Sequence, residues 1–224
     1  MKTLFFLIFA FLMTSSSFAQ FIVTLKNEDG YLKNADGSLV QKTTTFVEEG
    51  SKSLPERNCA TILKTTDGKV YKNVKGHIDL ETEKFVFLVN EQEFNCTLPI
   101  DQIVFDSCDA VSKPALFKTG YPAIDKQNEK SLYLVLSQGK ATLLKHYVVT
   151  WQDITPFNTT NTTRTYKQME QYYLFLNGKM VRLEKNKDNL RELLEIQRDY
   201  ISLNKLNLKK DEDATKFVDY YNSL

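Results

Sequence analysis

The side chains best suited to catalysis are few in this 224-residue sequence, which contains two histidines, His77 and His146, and three cysteines. A serine or cysteine nucleophile needs a base and an orienting group beside it. Neither histidine is accompanied by a Gly-x-Ser-x-Gly elbow or a comparable setting. We therefore expect both histidines to be surface or hydrogen-bonded structural residues, and we predict no catalytic residue.

Metal and phosphate sites have no clear sequence signal either. A zinc site needs three or four ligands in a recognisable spacing, but Cys59, His77, Cys96 and Cys108 are scattered along the chain. Each Gly-Lys pair lies in a predicted β-turn, whereas a P-loop presents its glycines at the start of a helix. We predict no metal ligand, no cofactor-binding residue and no cofactor.

Paired carboxylates remain as candidates for glycoside hydrolysis, because their separation depends on the three-dimensional fold. Glu81 with Glu83, and Asp211 with Asp213, are close in the sequence. Both pairs are more simply explained as solvated residues. A hydrolase is therefore kept as an alternative function without assigned residues.

The first 19 residues are typical of a cleaved export signal. Lys2 gives a positive start, Leu4 to Met13 form a ten-residue apolar segment, and small residues precede a cleavage site between Ala19 and Gln20. Ten apolar residues are too few for a membrane span, which needs roughly 20. We expect a soluble, exported protein in the periplasm, at the cell surface or outside the cell, with no transmembrane span.

The charge balance of the mature chain gives no electrostatic indication of binding to nucleic acid or to an acidic membrane surface. Removing the first 19 residues leaves 205 residues and takes away only Lys2, so 28 basic residues match 28 acidic ones. A balanced chain with dispersed charges lacks the basic surface that nucleic acids require. The partner is therefore expected to be a protein or a small ligand, and not a nucleic acid.

The three cysteines allow one disulfide in an oxidising compartment. Cys96 and Cys108 are the favoured pair, because only a short β-connection separates them. The alternative is that all three are small buried apolar residues.

The order of strand signals predicts a β-rich body. The longest apolar run of the mature chain, Ser131 to Trp151, is interrupted at Gln138-Gly139 and predicts a hairpin with a central position in a sheet. Thr66-Asp67-Gly68 and Asn177-Gly178 mark two further hairpins, the second with a type I′ turn. The segment from Ser112 to Lys130 is interpreted as a loop packed across the sheet.

Near the C-terminus the apolar period changes to that of helices. Asn189 and Glu192 match a capping box, and apolar residues then follow at helical spacing to Leu203. A second amphipathic helix is predicted from Asp211. The predicted fold class is α+β, with mostly antiparallel hairpins of about nine or ten strands and two C-terminal helices.

The predicted organisation has four parts, of which the last three are expected to form one compact unit. They are the signal peptide (1–19), an N-terminal strand with loops (20–59), a β-meander (60–110), and β-hairpins with the helix pair (111–224).

Aromatic residues crowd the two late hairpins. They are Tyr133, Tyr147, Trp151, Tyr172, Tyr173 and Phe175. Such residues suit sugar or protein interfaces, but they also suit cross-strand packing within a sheet, which is the interpretation we favour.

Several segments resemble an uncharacterised family of exported bacterial β-rich proteins with a C-terminal helix pair. They are TDGKVYKNV, FKTGYPAIDKQNEKSLYLVLSQGKATLLKHY, YYLFLNGKMVRL and LNLKKDEDATKFVDYYNSL. The resemblance covers most of the chain from about Ala60 and implies a setting in the bacterial envelope. It implies no activity, ligand or site.

The hypothesis that follows is an exported, non-catalytic envelope protein that binds a partner protein or a small ligand. One alternative is an unrecognised hydrolase acting on carbohydrate or peptide. Another is a β-barrel carrier of an apolar ligand, which would require a central apolar cavity.

The export signal predicts a defined mature N-terminus. When the full chain is expressed in a bacterium, the mature protein is expected to begin at Gln20, as measured by intact mass and N-terminal sequencing. Replacing Ala19 by Arg should block cleavage, because signal peptidase reads a small residue there. A mature chain that still begins at Met1 would contradict the prediction.

Overall fold

The protein is described from a computed structural model, which covers residues 40–41, 47–106, 114–155, 157, 162–184, 187–195 and 198–224. The predicted export signal with its Ala19–Gln20 cleavage site, and Cys108, lie outside the described residues. Twelve strands and three helices occur within the described part of the chain. The strands are β1 (Val40–Gln41), β2 (Val47–Glu49), β3 (Ser53–Thr65), β4 (Val70–Asp79), β5 (Lys84–Val89), β6 (Gln92–Asn95), β7 (Ile100–Phe105), β8 (Ala115–Lys118), β9 (Tyr133–Ser137), β10 (Ala141–Ile154), β11 (Thr163–Leu176) and β12 (Lys179–Arg182). The helices are α1 (Leu190–Leu193), α2 (Arg198–Leu203) and α3 (Asp211–Ser223).

All twelve strands belong to one sheet. Its order is β1-β6-β5-β4-β3-β7-β8-β9-β10-β11-β12, and β2 pairs with β11 outside this path. The pairing of β2 with β11 is parallel, and the other pairings are antiparallel. A mainly antiparallel β fold with C-terminal helices is thus confirmed, with three helical segments instead of a pair and more strands than predicted.

The three predicted hairpins are present. Asn177 and Gly178 both have positive φ angles, of 50° and 76°, as a type I′ turn requires. The Gln138-Gly139 hairpin joins β9 to β10, and both strands are interior to the sheet, as their apolar composition predicted.

Two predictions of local structure are wrong. The segment from Ser112 to Lys130 contains strand β8, which lies between β7 and β9 in the middle of the sheet. The predicted helix after Asn189 is broken into α1 and α2, and Glu195 between them has a φ of 52°, which a helix does not allow. Asn189 does not cap α1 but accepts a hydrogen bond from the backbone N–H of Glu184 at 3.0 Å.

The long hairpin of β10 and β11, hereafter the ribbon, connects the two halves of the molecule. Its strands pair without interruption from Ala141 opposite Leu176 to Ile154 opposite Thr163. Tyr147 and Val149 in β10 pack against the core formed by β3 to β7, although β8 and β9 lie between these strands in the sheet order. The sheet is therefore coiled so that the far half of the ribbon crosses the meander.

The near half of the ribbon is covered by the C-terminal helices. Leu143 and Leu174 of the ribbon are fully buried with Leu190 of α1 and Phe217 of α3. Fully burying one such side chain contributes about 1.5–3 kcal/mol, so this apolar contact is the main force that holds α3 on the sheet.

Two buried lysines join α3 to the same part of the ribbon. Lys145 contacts both Glu170 of β11, at 2.9 Å, and Asp211 at the start of α3. Lys187, which is 1% exposed, lies 3.3 Å from the other oxygen of Asp211 and 3.9 Å from the centre of the Tyr172 ring. Burial alone would raise the pKa of Asp211, but the lysines outweigh it and hold that pKa below its ordinary value.

Asn222 locks the end of α3 onto the β9–β10 turn. Its side-chain amide accepts from Ala141 N at 2.8 Å and donates to Ala141 O at 2.9 Å, as a neighbouring strand would. A Cβ at Gly139 would lie 2.4 Å from the Asn222 Cγ, so only glycine allows this approach.

The cysteines do not pair as predicted. Cys96 has a free, buried thiol, whereas Cys59 is disulfide-bonded to a residue outside the described part of the chain. The backbone N–H of Cys96 donates to Phe85 O at 2.8 Å and holds this residue in the β5–β6 hairpin. The end of β7 instead runs beside Cys59, since Asp106 N donates to Ala60 O at 3.2 Å.

Replacing Asn222 by Ala is expected to lower the free energy of unfolding by about 1–3 kcal/mol, because Ala141 would lose both partners at a part-buried site. Urea unfolding measures the change. Ser223→Ala is the control, since its exposed hydroxyl donates to Tyr220 O within the same helix. Equal losses in the two variants would contradict the role of Asn222.

Alkylation is expected to distinguish the cysteines. Burial raises the pKa of the Cys96 thiol to about 11, so iodoacetamide should not modify it in the native protein. In urea without reductant, one alkyl group per chain should appear at Cys96, and the Cys59 peptide should be recovered cross-linked to the Cys108 peptide. Modification of Cys59 before reduction would show that the disulfide is absent.

Candidate functional site

Exposed apolar side chains gather at the far end of the ribbon. Eight large apolar residues are exposed in the described part of the chain, and four of them lie here. Val47 is 58% exposed, Trp151 49%, Ile154 47% and Phe157 94%. Scattered exposed apolar residues are ordinary, but a group at one place marks an interaction site.

The strand register places these residues on both faces of the ribbon end. Val47 and Ile154 are both paired with Thr163, so they share one face across three strands. Trp151 is three residues before Ile154 and therefore lies on the opposite face, since side chains alternate along a strand. The far end is thus a wedge with apolar groups on each side.

The Trp151 ring packs against the guanidinium of Arg164, and Arg164 is in turn hydrogen-bonded to Asp153. The guanidinium of Arg164 lies 3.9 Å from the centre of the Trp151 ring. Asp153, directly opposite Arg164 in the register, accepts two hydrogen bonds from it at 2.7 and 2.8 Å. The pair raises the pKa of Arg164 and lowers the pKa of Asp153, so both stay charged at neutral pH.

A second charged group, centred on Lys52, lies on the Trp151 face. The Lys52 ammonium lies 2.8 Å from Glu48 and 3.0 Å from Glu81, and it donates to the Tyr166 hydroxyl at 2.8 Å. Burial alone would lower the pKa of Lys52, but these hydrogen bonds outweigh it and raise the pKa. Because Glu48 is in β2 and Glu81 lies between β4 and β5, the group ties three separate parts of the sheet together.

We call this region the tip surface. It consists of Val47, Glu48, Lys52, Glu81, Trp151, Asp153, Ile154, Phe157, Arg164 and Tyr166.

A buried polar group lies beside the tip surface in the ribbon. His146 is 3% exposed, and its Nε2 lies 3.2 Å from the Glu83 carboxylate. The Tyr133 ring lies 5.3 Å from the His146 ring, centre to centre. Among the described residues, neither the Tyr133 hydroxyl nor His146 Nδ1 has a hydrogen-bond partner. Burial, with Glu83 and Asp125 adding, raises the pKa of Tyr133.

The histidines therefore occupy separate structural positions. His77 is also buried, and its Nδ1 lies 2.7 Å from Asn58 Oδ1. The structure does not bring either ring to a serine or cysteine nucleophile among the contacts of the described residues. Both rings are buried and hydrogen-bonded, and neither is at the surface.

The aromatic residues divide into core and surface. Tyr133 and Tyr173 are fully buried and pack edge to face at 5.6 Å, and Tyr172 is 8% exposed. Trp151 alone among the six predicted candidates is an exposed side chain. Packing within the sheet, the favoured interpretation, thus holds for these tyrosines and does not extend to Trp151.

The paired carboxylates, which the sequence suggested were solvated, are partly exposed and also have side-chain partners. Glu81 contacts Lys52, Glu83 contacts His146, and Asp211 contacts Lys145 and Lys187.

Sequence reasoning also missed Val47, Glu48 and Lys52, because only the pairing of β2 with the distant β11 brings them to the tip.

Two cavities lie at the opposite end of the molecule, among the C-terminal helices. One, of about 420 Å³, is lined by residues that include Tyr200, Lys216 and Tyr220, and the other, of about 460 Å³, by residues that include Arg191 and Leu208. Neither lining includes a histidine or cysteine.

The part of the chain that the structure describes offers neither a cluster of metal ligands nor a helix fit to cross a membrane. No group of three or more His, Cys, Asp or Glu side chains there could hold a metal ion. None of the helices in this part of the chain has the length and hydropathy that a membrane crossing needs.

The chain was compared with known proteins by sequence and by structure. No protein-family model, no curated protein and no solved structure matches it.

Proposed function

We propose that this chain is an exported, non-catalytic protein that binds a partner protein through the tip surface. The observation that carries the proposal is the gathering of Val47, Trp151, Ile154 and Phe157 at one end of the ribbon. Export is proposed from the leader-like segment, and a bacterial envelope setting from the resemblance of later segments.

The residue types at the tip are those that dominate protein interfaces. Trp, Tyr and Arg are enriched among the residues whose loss costs an interface most. Trp151, Arg164 and Tyr166 lie on one face, and Arg164 is fixed by Asp153 before any partner arrives. Because the arginine is already ordered, less side-chain entropy is lost on binding.

A protein partner fits this surface better than a small molecule does. The tip surface is a projecting wedge with apolar groups on two faces, whereas small ligands are enclosed in concave sites. A partner with a groove could cover both faces at once. The exposed edge strand β2 adds backbone groups that a partner strand could pair with.

The hydrolase alternative has one observation in its favour. Glu48 and Glu81 both lie within hydrogen-bond distance of the Tyr166 hydroxyl, at 3.2 and 3.4 Å. However, Lys52 pairs with both carboxylates, and acid–base hydrolysis needs one of the two protonated. Binding therefore accounts for the arrangement better than hydrolysis.

The interior gives no support to an apolar-ligand carrier. The described interior consists of three clusters of buried side chains, of which one lies under the helices and the largest contains the fully buried Phe85, Phe87 and Phe105. The two cavities described above lie at the helices and have polar residues in their linings.

The proposal is tested by site-specific photocrosslinking in cells that make the protein. A photoreactive amino acid at Trp151 is expected to give one defined cross-linked product, identified by mass spectrometry, which disappears when Arg164→Glu or Ile154→Asp is added. The purified partner should then bind the Trp151→Ala variant about 10- to 100-fold more weakly, because interface tryptophans are often dominant contacts.

Leu203, 80% exposed on α2, is the matched control position. A photoreactive residue there should give no such product, and Leu203→Ala should leave the affinity unchanged. If the two positions give the same products, or the tip gives none, the tip surface is not a protein-binding site.

A further inference from the structure

The β4–β5 turn, residues 80–83, lies between the buried histidine and the tip surface. At one end, the Glu83 carboxylate accepts from His146 Nε2 at 3.2 Å. Two residues earlier, Glu81 lies 3.0 Å from the Lys52 ammonium and 3.4 Å from the Tyr166 hydroxyl. One short turn thus contacts both the interior of the ribbon and its exposed end.

The turn is stiff enough to connect these two contacts. Asp79 Oδ1 accepts from the backbone N–H groups of Glu81 and Thr82, at 3.0 Å each. Leu80 N donates to Lys52 O at 2.8 Å, and Glu83 has a φ of 51° that few non-glycine residues adopt. Because these contacts order the backbone between Glu81 and Glu83, we expect a displacement of Glu83 to shift Glu81 as well.

Among the described charged groups near the His146 ring, Glu83 is the carboxylate that hydrogen-bonds to it. Tyr133 of β9 faces the His146 ring, and Tyr133 in turn packs against Tyr173 of β11. Asp125 is shared by the Tyr173 hydroxyl, at 3.0 Å, and by Arg182, at 3.1 Å. Lys145, the neighbour of His146 in β10, points to the opposite face toward Glu170 and Asp211.

We propose that His146 is a positioning residue for the tip surface, which acts through Glu83 to hold the β4–β5 turn and Glu81 against Lys52 and Tyr166. The role of this arrangement in binding rests on the proposed function of the tip surface, whereas the mechanical link itself does not need a partner. His146 does not touch the exposed residues of the tip, so its effect is transmitted by the turn.

The hydrogen bond between His146 and Glu83 is expected to depend on pH. Burial alone would raise the pKa of Glu83, but hydrogen bonds from His146 and Ser131 outweigh it and keep that pKa below its ordinary value. The stabilisation is therefore present above the ordinary glutamate pKa and is lost as the pH falls through the lowered one. Removing the His146 donor should raise the pKa of Glu83 and move this loss to higher pH.

The test compares two replacements of His146 by amide hydrogen exchange, measured by NMR on the full mature chain. In His146→Leu, the protection factors of Leu80 and Thr82 should fall about tenfold, because the charge-assisted hydrogen bond to the turn is lost. In His146→Gln they should stay near the original values, because the glutamine amide N–H can donate to Glu83 at a similar position.

Ile103→Val, in the fully buried meander core, is the stability control, since it weakens packing without touching the turn. Ile103→Val should lower the protection factors of amides in β3 and β7. The protection factors of Leu80 and Thr82 should stay at their original values. Equal effects of the leucine and glutamine variants, or no effect of either, would overturn the proposal.

If His146→Leu does not fold, Glu83→Gln tests the same contact. The Glu83 side chain is 36% exposed, so this replacement disturbs the interior less. In this variant the fall in protection of Leu80, whose N–H donates to the Lys52 carbonyl, should disappear at acid pH, and a persistent fall at Leu80 would also overturn the proposal. None of these measurements involves a partner. Failed photocrosslinking with the predicted exchange results would therefore refute the binding function alone.

Discussion

The uninterrupted pairing of β10 with β11 is the constraint on which the rest of the structure depends. Fourteen cross-strand pairs keep these two strands in one register from Ala141 to Ile154. With a rise of about 3.4 Å per residue, the ribbon is long enough to serve two cores. Its near half is buried under the C-terminal helices, and its far half lies across the meander, so neither core is complete without it.

The two ends of the ribbon use charged groups differently. At the near end, Lys145 and Lys187 are buried and share Asp211, so their charges fix the position of α3. At the far end, the side chains of Arg164 and Lys52 are each only 13% exposed, and they pair with Asp153 and Glu48 beside Trp151, which is 49% exposed. Apolar surface that remains exposed on an ordered scaffold can still gain free energy by binding, which is why we propose a binding role for this end.

The sequence predicted the hairpins because their signals are local. Asn177-Gly178 specifies its own turn, and the apolar arms around Gln138-Gly139 indicate central strands. Strand β8 was missed because four residues between prolines and glycines carry too little periodicity, and its place is decided by β7 and β9. The single predicted helix after Asn189 failed for the opposite reason: the helical pattern of the sequence continues across Glu195, whose φ of 52° a helix does not allow.

The candidate site was only partly predictable for the same physical reason. Trp151 could be noticed in its hairpin, but nothing local separates it from the buried tyrosines nearby. Its exposure depends on where the ribbon ends relative to the meander. The contacts of Lys52 with Tyr166 and of Glu83 with His146 join residues far apart in the sequence, and such contacts have no short-range signature. The cysteine prediction failed similarly, since sequence proximity favoured Cys96 for the disulfide, whereas its thiol is free and Cys59 is the bonded residue.

The most direct test of this account is whether the two ends of the ribbon unfold together. Trp151 is the single tryptophan and reports on the far end, whereas far-ultraviolet ellipticity from the helices reports on the near end. Urea unfolding followed by both signals should give the same midpoint and slope, as one cooperative unit requires. Loss of the helical signal at lower urea, with Trp151 fluorescence unchanged, would show that the ribbon does not join the two cores and would contradict the account.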